Sequence, residues 1–340
     1  MNAPYHFVRP EVIEKLGEDN PYQGLAAQAT RYAYAEAIVE VGELNPSVVV
    51  LDADVAKSIK TTMFTERFPE RSFNFGIAEQ NMMAAAAGMA TTGLIPFVST
   101  YAVFAAMRAL DQLRNSIHYP FLNVKVAASH SGITPGPDGV THQAQEDLSL
   151  LRAVANSTVI AAADSVTVKM ATHAAAAYYG PVYLSFTRDP VPLLYVPEFP
   201  YEIGKAVTVR DGSDVTIVAL RDLVFHALVA AEHVAAVGID ARVIDCHTLK
   251  PLDEATILAA ARETGAVVTA ENNVIFGGLG SAVAELLVEN HPLPMQRVGV
   301  RDIFTESGPY LELIDKYGLT WPHIMRAVRQ VLERKRVPVS

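Results

Sequence analysis

Two short stretches hold the side chains best placed to do chemistry. In FNFGIAEQNMMAAAAGMATTG (73–93) an aromatic run enters a glycine and then a segment almost entirely of Ala, Met and Gly. Glu79 stands at its head. A carboxylate there either caps the helix, because orphan N–H groups and the dipole attract negative charge, or is a buried acid aimed at a ligand. In SHSGITPGPDGVTHQ (129–143), His130 opens a Gly- and Pro-rich loop, and Asp138 and His142 lie four residues apart. Such a loop can hold an irregular backbone around a ligand, with both side chains facing one cavity, or it is an exposed turn with an incidental histidine.

These residues need elements to position them. Apolar runs alternate with helical patterns: a helix over 25–44, strands at SVVVLDAD (47–54), RSFNFG (71–76) and PFVSTYA (96–102), then a helix over 104–117. Strands at NVKVAASH (123–130), TVIAAAD (158–164) and VYLSFTR (182–188) complete this half. Strands apolar throughout and separated by helices imply a parallel sheet covered on both faces. In such sheets ligands gather at the carboxyl ends of the strands. Those ends carry Asp52 and Asp54, Glu79, Tyr101, His130 and Arg188.

A proline-rich stretch at 189–205 reads as a linker. Strands at VTIVAL (215–220), ARVIDC (241–246), AVVTAEN (266–272) and MQRVGV (295–300) follow, with helices between them. The fold class is α/β with two doubly wound domains, the second on a mixed sheet. The expected division is an arm (1–21), a first domain (22–190), a linker (191–212) and a second domain (213–340).

Composition narrows the function. Of 340 residues, 50% are hydrophobic and 19% charged, with a net charge of -10, which is unlike a nucleic-acid surface. The single cysteine, Cys246, excludes an intrachain disulfide and a multi-cysteine metal site. The apolar run Met82–Val98 is shorter than a membrane span and is broken by Gly88, Gly93 and Pro96. With no signal-like N-terminus, the expectation is a cytoplasmic protein. The histidines show no metal-ligand spacing, and no P-loop, strand-linked GxGxxG or GxSxG elbow occurs. GGLGSAVAE (277–285) opens a helix whose glycines either approach an anion or allow tight helix–sheet packing.

Together these motifs resemble the C-terminal half of transketolase, over about residues 22–335, as in the smaller subunit of a split enzyme. FGIAEQNMMAAAAGMA matches the family's Gly–x–x–Glu–(His/Gln) helix. ASHSGITPGPDGVTHQ keeps its His, Asp eight later and His four after that. HTLKPLD, ENNVIFGGLGSAVAE and VGVRDIFTESG resemble the C-terminal domain of the wider thiamine diphosphate family.

The resemblance implies transfer of a two-carbon ketol unit from a ketose phosphate to an aldose phosphate on thiamine diphosphate. Glu79 would hydrogen-bond the aminopyrimidine, and Tyr101, Phe104 and Met107 would lie against it, with Asp54 near the thiazolium. Burial disfavours a charged carboxylate and a helix N-terminus favours it, so such a group can share a proton with a ring nitrogen. Asp138 and His142 would contact sugar hydroxyls and the reacting carbonyl; Arg31, Ser58, His130 and Arg188 would bind the sugar phosphate. The family's GDG…N motif, which holds the diphosphate through Mg²⁺, is missing from this sequence. A partner subunit must therefore supply it, with a heterotetramer the expected assembly. Met107 replaces a usual Tyr, Tyr101 a Phe, and Ser131 an Asp. A 1-deoxyxylulose-5-phosphate synthase, a 2-oxoacid dehydrogenase beta subunit and a non-catalytic paralogue remain alternatives at this stage.

Overall fold

The computed structural model describes residues 4–335. Strands of the first half are β1 (Ala27–Ala29), β2 (Val48–Asp52), β3 (Ser72–Asn74), β4 (Ile95–Tyr101), β5 (Lys125–Ser129), β6 (Thr158–Ala161), β7 (Val182–Ser185) and β8 (Pro190–Pro192). Those of the second are β9 (Val207–Arg210), β10 (Val215–Ala219), β11 (Ala241–Asp245), β12 (Thr248–Lys250), β13 (Val267–Val274) and β14 (Met295–Val300).

A seven-stranded sheet runs in the order β12-β6-β7-β5-β4-β2-β3, parallel apart from β12. Its inner strands are apolar throughout because both faces are covered. Strand side chains alternate between faces. Val48 and Val50 pack with Tyr34, Ile38 and Ala171 of helices Thr30–Leu44 and Ser165–Ala177. Val49 and Leu51 pack with Met82, Met83 and Ala86 of helix Glu79–Thr91.

The second sheet runs β14-β13-β10-β11-β9, with β9 antiparallel. Helices Leu223–Ala235 and Trp321–Lys335 share one core with Ile217 and Ala219, while Glu254–Thr264 and Leu279–Asn290 share another with Val218 and Leu220. That second core also holds Ala144, Leu148 and Leu249, so apolar packing is continuous between the two halves. Among the described residues no helix is long and apolar enough to cross a membrane.

Four local readings change. The first long helix begins at Thr30, because Ala27–Ala29 pairs antiparallel with Pro190–Pro192. The segment 104–117 is helical with two wide turns, Phe104–Arg108 and Leu113–His118, closed by i→i−5 bonds such as Ala109 N to Phe104 O at 3.2 Å. The linker contributes an edge strand, β9. Thr248–Lys250, from the second half, completes the sheet of the first.

Candidate functional site

The site is built on an aromatic platform. Tyr101 ends β4, and Phe104 opens the wide helical turn that follows. Their rings stack at 5.7 Å. His142 meets Phe104 edge-on at 5.4 Å and lies 6.1 Å from Tyr101. Wide turns of this kind are frequent at functional sites because they displace side chains from the regular helical register.

His130 lies flat on Tyr101, ring centroids 3.9 Å apart. It follows β5 with φ 63, a left-handed conformation uncommon outside glycine. Ser129 Oγ meets its Nδ1 at 2.9 Å, and Ser58 Oγ lies 3.5 Å from its Nε2. Tyr101 donates to Ser58 Oγ at 2.9 Å, and Arg31 donates to Ser58 O at 2.9 Å. Burial pulls the His130 imidazole down to about 2, helped by Arg188, Arg31 and His142. It is neutral at physiological pH. The positive charge here belongs to two guanidiniums. Among the described residues Arg31 Nε is buried without a partner, and Arg188 lies 3.7 Å from Asp138 and 3.0 Å from Asp189. Such a set can grip a tetrahedral oxyanion.

Glu79 is 1% exposed and is the first residue of its helix. The N-cap position is Ala78, which has no capping group. Among the described residues the Glu79 carboxylate pairs with Arg108 Nη1 at 2.8 Å, not with amides of its own helix. The Arg108 guanidinium lies 4.3 Å over the Phe104 ring, an arrangement worth roughly 0.5–2 kcal/mol. One arginine thus ties the acid to the platform.

The glycines of the His130 loop have a specific partner: the second half of the chain. A Cβ on Gly132 would stand 2.2 Å from Asn272 O, on Gly136 2.4 Å from Gly308 O, and on Gly139 2.3 Å from Ser307 Oγ. Gly308 N donates to Gly136 O at 3.1 Å. Thr305 donates to the Gln143 side-chain oxygen, and its hydroxyl lies 2.7 Å from the Gln145 amide. The loop backbone is thus held from behind by ENNV (271–274) and by the segment after β14.

The GGLG segment resolves to internal packing. Glu271, fully buried, accepts from Leu279 N at 2.9 Å and Gly280 N at 2.8 Å. A Cβ on Gly278 would stand 2.0 Å from its carboxylate. The helix N-terminus that could receive an external anion is filled by the chain's own acid.

Arg31, Ser58, Tyr101, Phe104, His130, Asp138, His142 and Arg188 therefore converge, with Glu79 attached through Arg108. Asp54 is exposed, with φ 64, and among the described residues its carboxylate has no partner. Its neighbour Asp52 is the buried one, raised to about 6 by burial and accepting from Val55 N at 3.0 Å. Met107 is 39% exposed and lines a cavity of about 300 Å³ with Val140, Thr141 and Phe304. Sequence reasoning missed Arg108; in the regular helix expected over 104–117 its spacing four residues after Phe104 would put both on one face. It also missed Ser129, adjacent to His130.

Comparison with known proteins gives the family. The family models for the transketolase pyrimidine binding domain and the transketolase C-terminal domain match residues 26–192 and 204–324. The chain is 43% identical to a 6-deoxy-6-sulfo-D-fructose transketolase subunit of Clostridium sp. (strain MSTE9), covering 90% of this chain and 95% of that one. It is 42% identical to a putative transketolase C-terminal section of Methanocaldococcus jannaschii, covering 90% and 96%. A solved structure described as a split gene transketolase, inactive beta4 tetramer, superposes with TM-score 0.85 at 51% identity, covering 91% of this chain and 99% of that one. The buried acid, the aromatic platform and the clamped histidine loop thus sit in a chain that belongs to the thiamine diphosphate-dependent transketolase family.

Proposed function

We propose that the chain is the pyrimidine-binding subunit of a split transketolase and moves a two-carbon ketol unit between sugars that end in an oxyanion. The observation that carries this reading is the convergence of Glu79, the Tyr101–Phe104 platform and the His130–His142 loop on one end of the first sheet. An aminopyrimidine fits the residues present: it offers polar nitrogens to a buried carboxylate and a flat face to Phe104. Thiamine diphosphate, when bound, supplies an electron sink for the carbanion.

The chain's own residues do the rest. Glu79, held by Arg108 in this chain, would present its carboxylate to the pyrimidine edge and exchange a proton with a ring nitrogen there. Phe104, with Tyr101 and Met107 beside it, would hold the pyrimidine by its flat face. Asp138 and His142 hydrogen-bond the sugar hydroxyls and the reacting carbonyl oxygen. Arg31, Ser58, His130 and Arg188 hold the distal oxyanion, with His130 as a neutral hydrogen-bonding group between two guanidiniums. Asp54, exposed beside the site, would lie towards the thiazolium.

The diphosphate and its Mg²⁺ would be held by a partner subunit carrying a GDG…N motif, in a heterotetramer. The helix behind Glu79 supports this. Its outer positions Asn81, Ala84 and Gly88 are exposed, and among the described residues a Cβ on Gly88 would meet nothing within 4 Å. Small residues left open in this way suit the close approach of a second chain.

The test mixes the purified chain with its partner and supplies either xylulose 5-phosphate and ribose 5-phosphate, or 6-deoxy-6-sulfo-D-fructose and an aldose phosphate. Turnover of one pair assigns the oxyanion as phosphate or sulfonate. Decarboxylation of pyruvate instead, as in the 1-deoxyxylulose-5-phosphate synthase or 2-oxoacid dehydrogenase reactions, would overturn the reading.

A further inference from the structure

The segment bearing His142 returns to the segment bearing His130. Gly132 N donates to Ala144 O at 3.0 Å, and Ala144 N donates to Gly132 O at 2.9 Å. Directly behind this closure lies Arg221, fully buried, which follows β10 in the second half. Its backbone is left-handed, φ 52, and its N–H donates to Ala161 O at 3.3 Å. Such a conformation in a bulky residue persists only where surrounding contacts over-determine it.

The Arg221 guanidinium divides between the two ends of the loop. Nη1 donates to Ser185 Oγ at 3.0 Å, and Ser185 Oγ lies 2.7 Å from Ser131 Oγ, on the residue after His130. Nη2 donates to Asn272 O at 2.8 Å and to Asn273 Oδ1. Asn272 Oδ1 accepts from Ile133 N at 3.1 Å. Asn273 Nδ2 reaches Ala144 O at 3.2 Å, Gln145 O at 3.0 Å and Asp147 Oδ1 at 2.7 Å. Tyr183 donates to the other Asp147 oxygen at 3.0 Å. Asp147, fully buried, joins this network through Ser185 and Asn273; burial raises its carboxyl and the nearby Arg221 guanidinium opposes that rise. A point charge could not serve both arms. The rigid, planar fork can, because its nitrogens diverge at fixed angles.

We propose that Arg221 is a positioning residue for sugar binding: it fixes the spacing of His130 and His142 over Tyr101 by holding both ends of the loop. Fully buried behind the loop, it would reach neither substrate nor cofactor. It also gives the second domain a role at a site that lies on the first. The proposal rests on the assignment of His130 and His142 to the sugar.

The experiment uses Arg221→Lys, Asn273→Ser and Ser185→Ala in the full chain, with the partner subunit present. Hydrogen exchange is read at the Gly132 and Ala144 amides, and kinetics are read separately for ketose and for thiamine diphosphate. Exchange at those amides should accelerate about tenfold or more, and KM for the ketose should rise about tenfold while cofactor affinity stays the same. Unchanged exchange at Gly132 and Ala144, or loss of cofactor affinity in step with activity, would overturn the proposal. If the wild-type pair transfers no ketol unit, the assignment of the sugar site fails, and the exchange data still decide whether the clamp exists. If Arg221→Lys does not fold, Asn273→Ser and Ser185→Ala each release one arm and give the same readouts.

Discussion

Glu79 and Arg108 form an ion pair at 2.8 Å in which the acid is buried and the base is 44% exposed. The asymmetry matters because the buried member bears the desolvation cost, while the exposed one can move at little cost. Glu79→Gln should therefore leave urea stability within about 1 kcal/mol of wild type, since it removes a buried charge along with its partner's contact. In the reconstituted complex the same change should lower turnover by roughly 10²-fold or more if the carboxylate serves in proton transfer. Unchanged turnover would favour a scaffold role instead.

His130 should leave a mark on acid stability. Burial holds the folded imidazole down at about 2, against 6.5 for the free group. The unfolded chain binds a proton below 6.5 that the native state refuses. Stability is thus lost as pH falls from 6.5 towards 2. His130→Asn should flatten this slope by up to about 1.4 kcal/mol per pH unit. Urea midpoints at pH 6.5, 5.5 and 4.5 measure it; parallel curves for the two proteins would show that the imidazole is accessible to protons.

Glu271 should act with the opposite sign. Burial raises its folded carboxyl from 4.5 to about 7, against the lowering effect of the Gly280 and Leu279 amides. Between those values the native state holds a proton that the unfolded chain releases. Its contribution is complete below 4.5 and is lost as pH rises through 7. Glu271→Gln should therefore gain stability relative to wild type as pH is raised from 5 to 8, as followed by denaturant titration at each pH.

Two glycines of the same left-handed class should respond differently to alanine. Gly132 has φ +60 and would place a Cβ against Asn272 O, whereas Gly93 has φ +91 and open space around it. Gly93→Ala carries only the conformational penalty of about 1–2 kcal/mol. Gly132→Ala adds a backbone clash and should cost roughly 1–3 kcal/mol more. Equal unfolding free energies for the two variants would mean that the loop is not seated against Asn272.

Much of this was legible in the sequence because it depends on periodicity. Val48–Leu51 and Val126–Ala128 are buried on both faces, and continuous apolar runs announce such strands. The strand ends that carry Tyr101 and His130 were legible for the same reason. What stayed hidden depends on long-range contact. Nothing local distinguishes Thr248–Lys250 as a strand of the distant first sheet. Arg221 follows an ordinary strand, and its significance appears only when Ser185, Asn272 and Asn273 surround it. The loop glycines were noticed, but their reason lies in Asn272, Ser307 and Gly308, more than 130 residues away. Glu271 could not be matched to the GGLG helix because capping across eight residues has no fixed spacing signature.

The pairing of Thr248–Lys250 with β6 gives the proline-rich connection an unexpected status. Residues beyond it are stitched into the sheet before it, and Tyr5 and Val8 reach forward to Arg210 and Tyr195 from the other end of the chain. The two halves are interlaced, like clasped hands rather than beads on a string. A protease that severed the backbone near residue 200 would release neither half, and both fragments should elute together until denatured. The peptide link there is a thread of synthesis more than a hinge of the finished molecule.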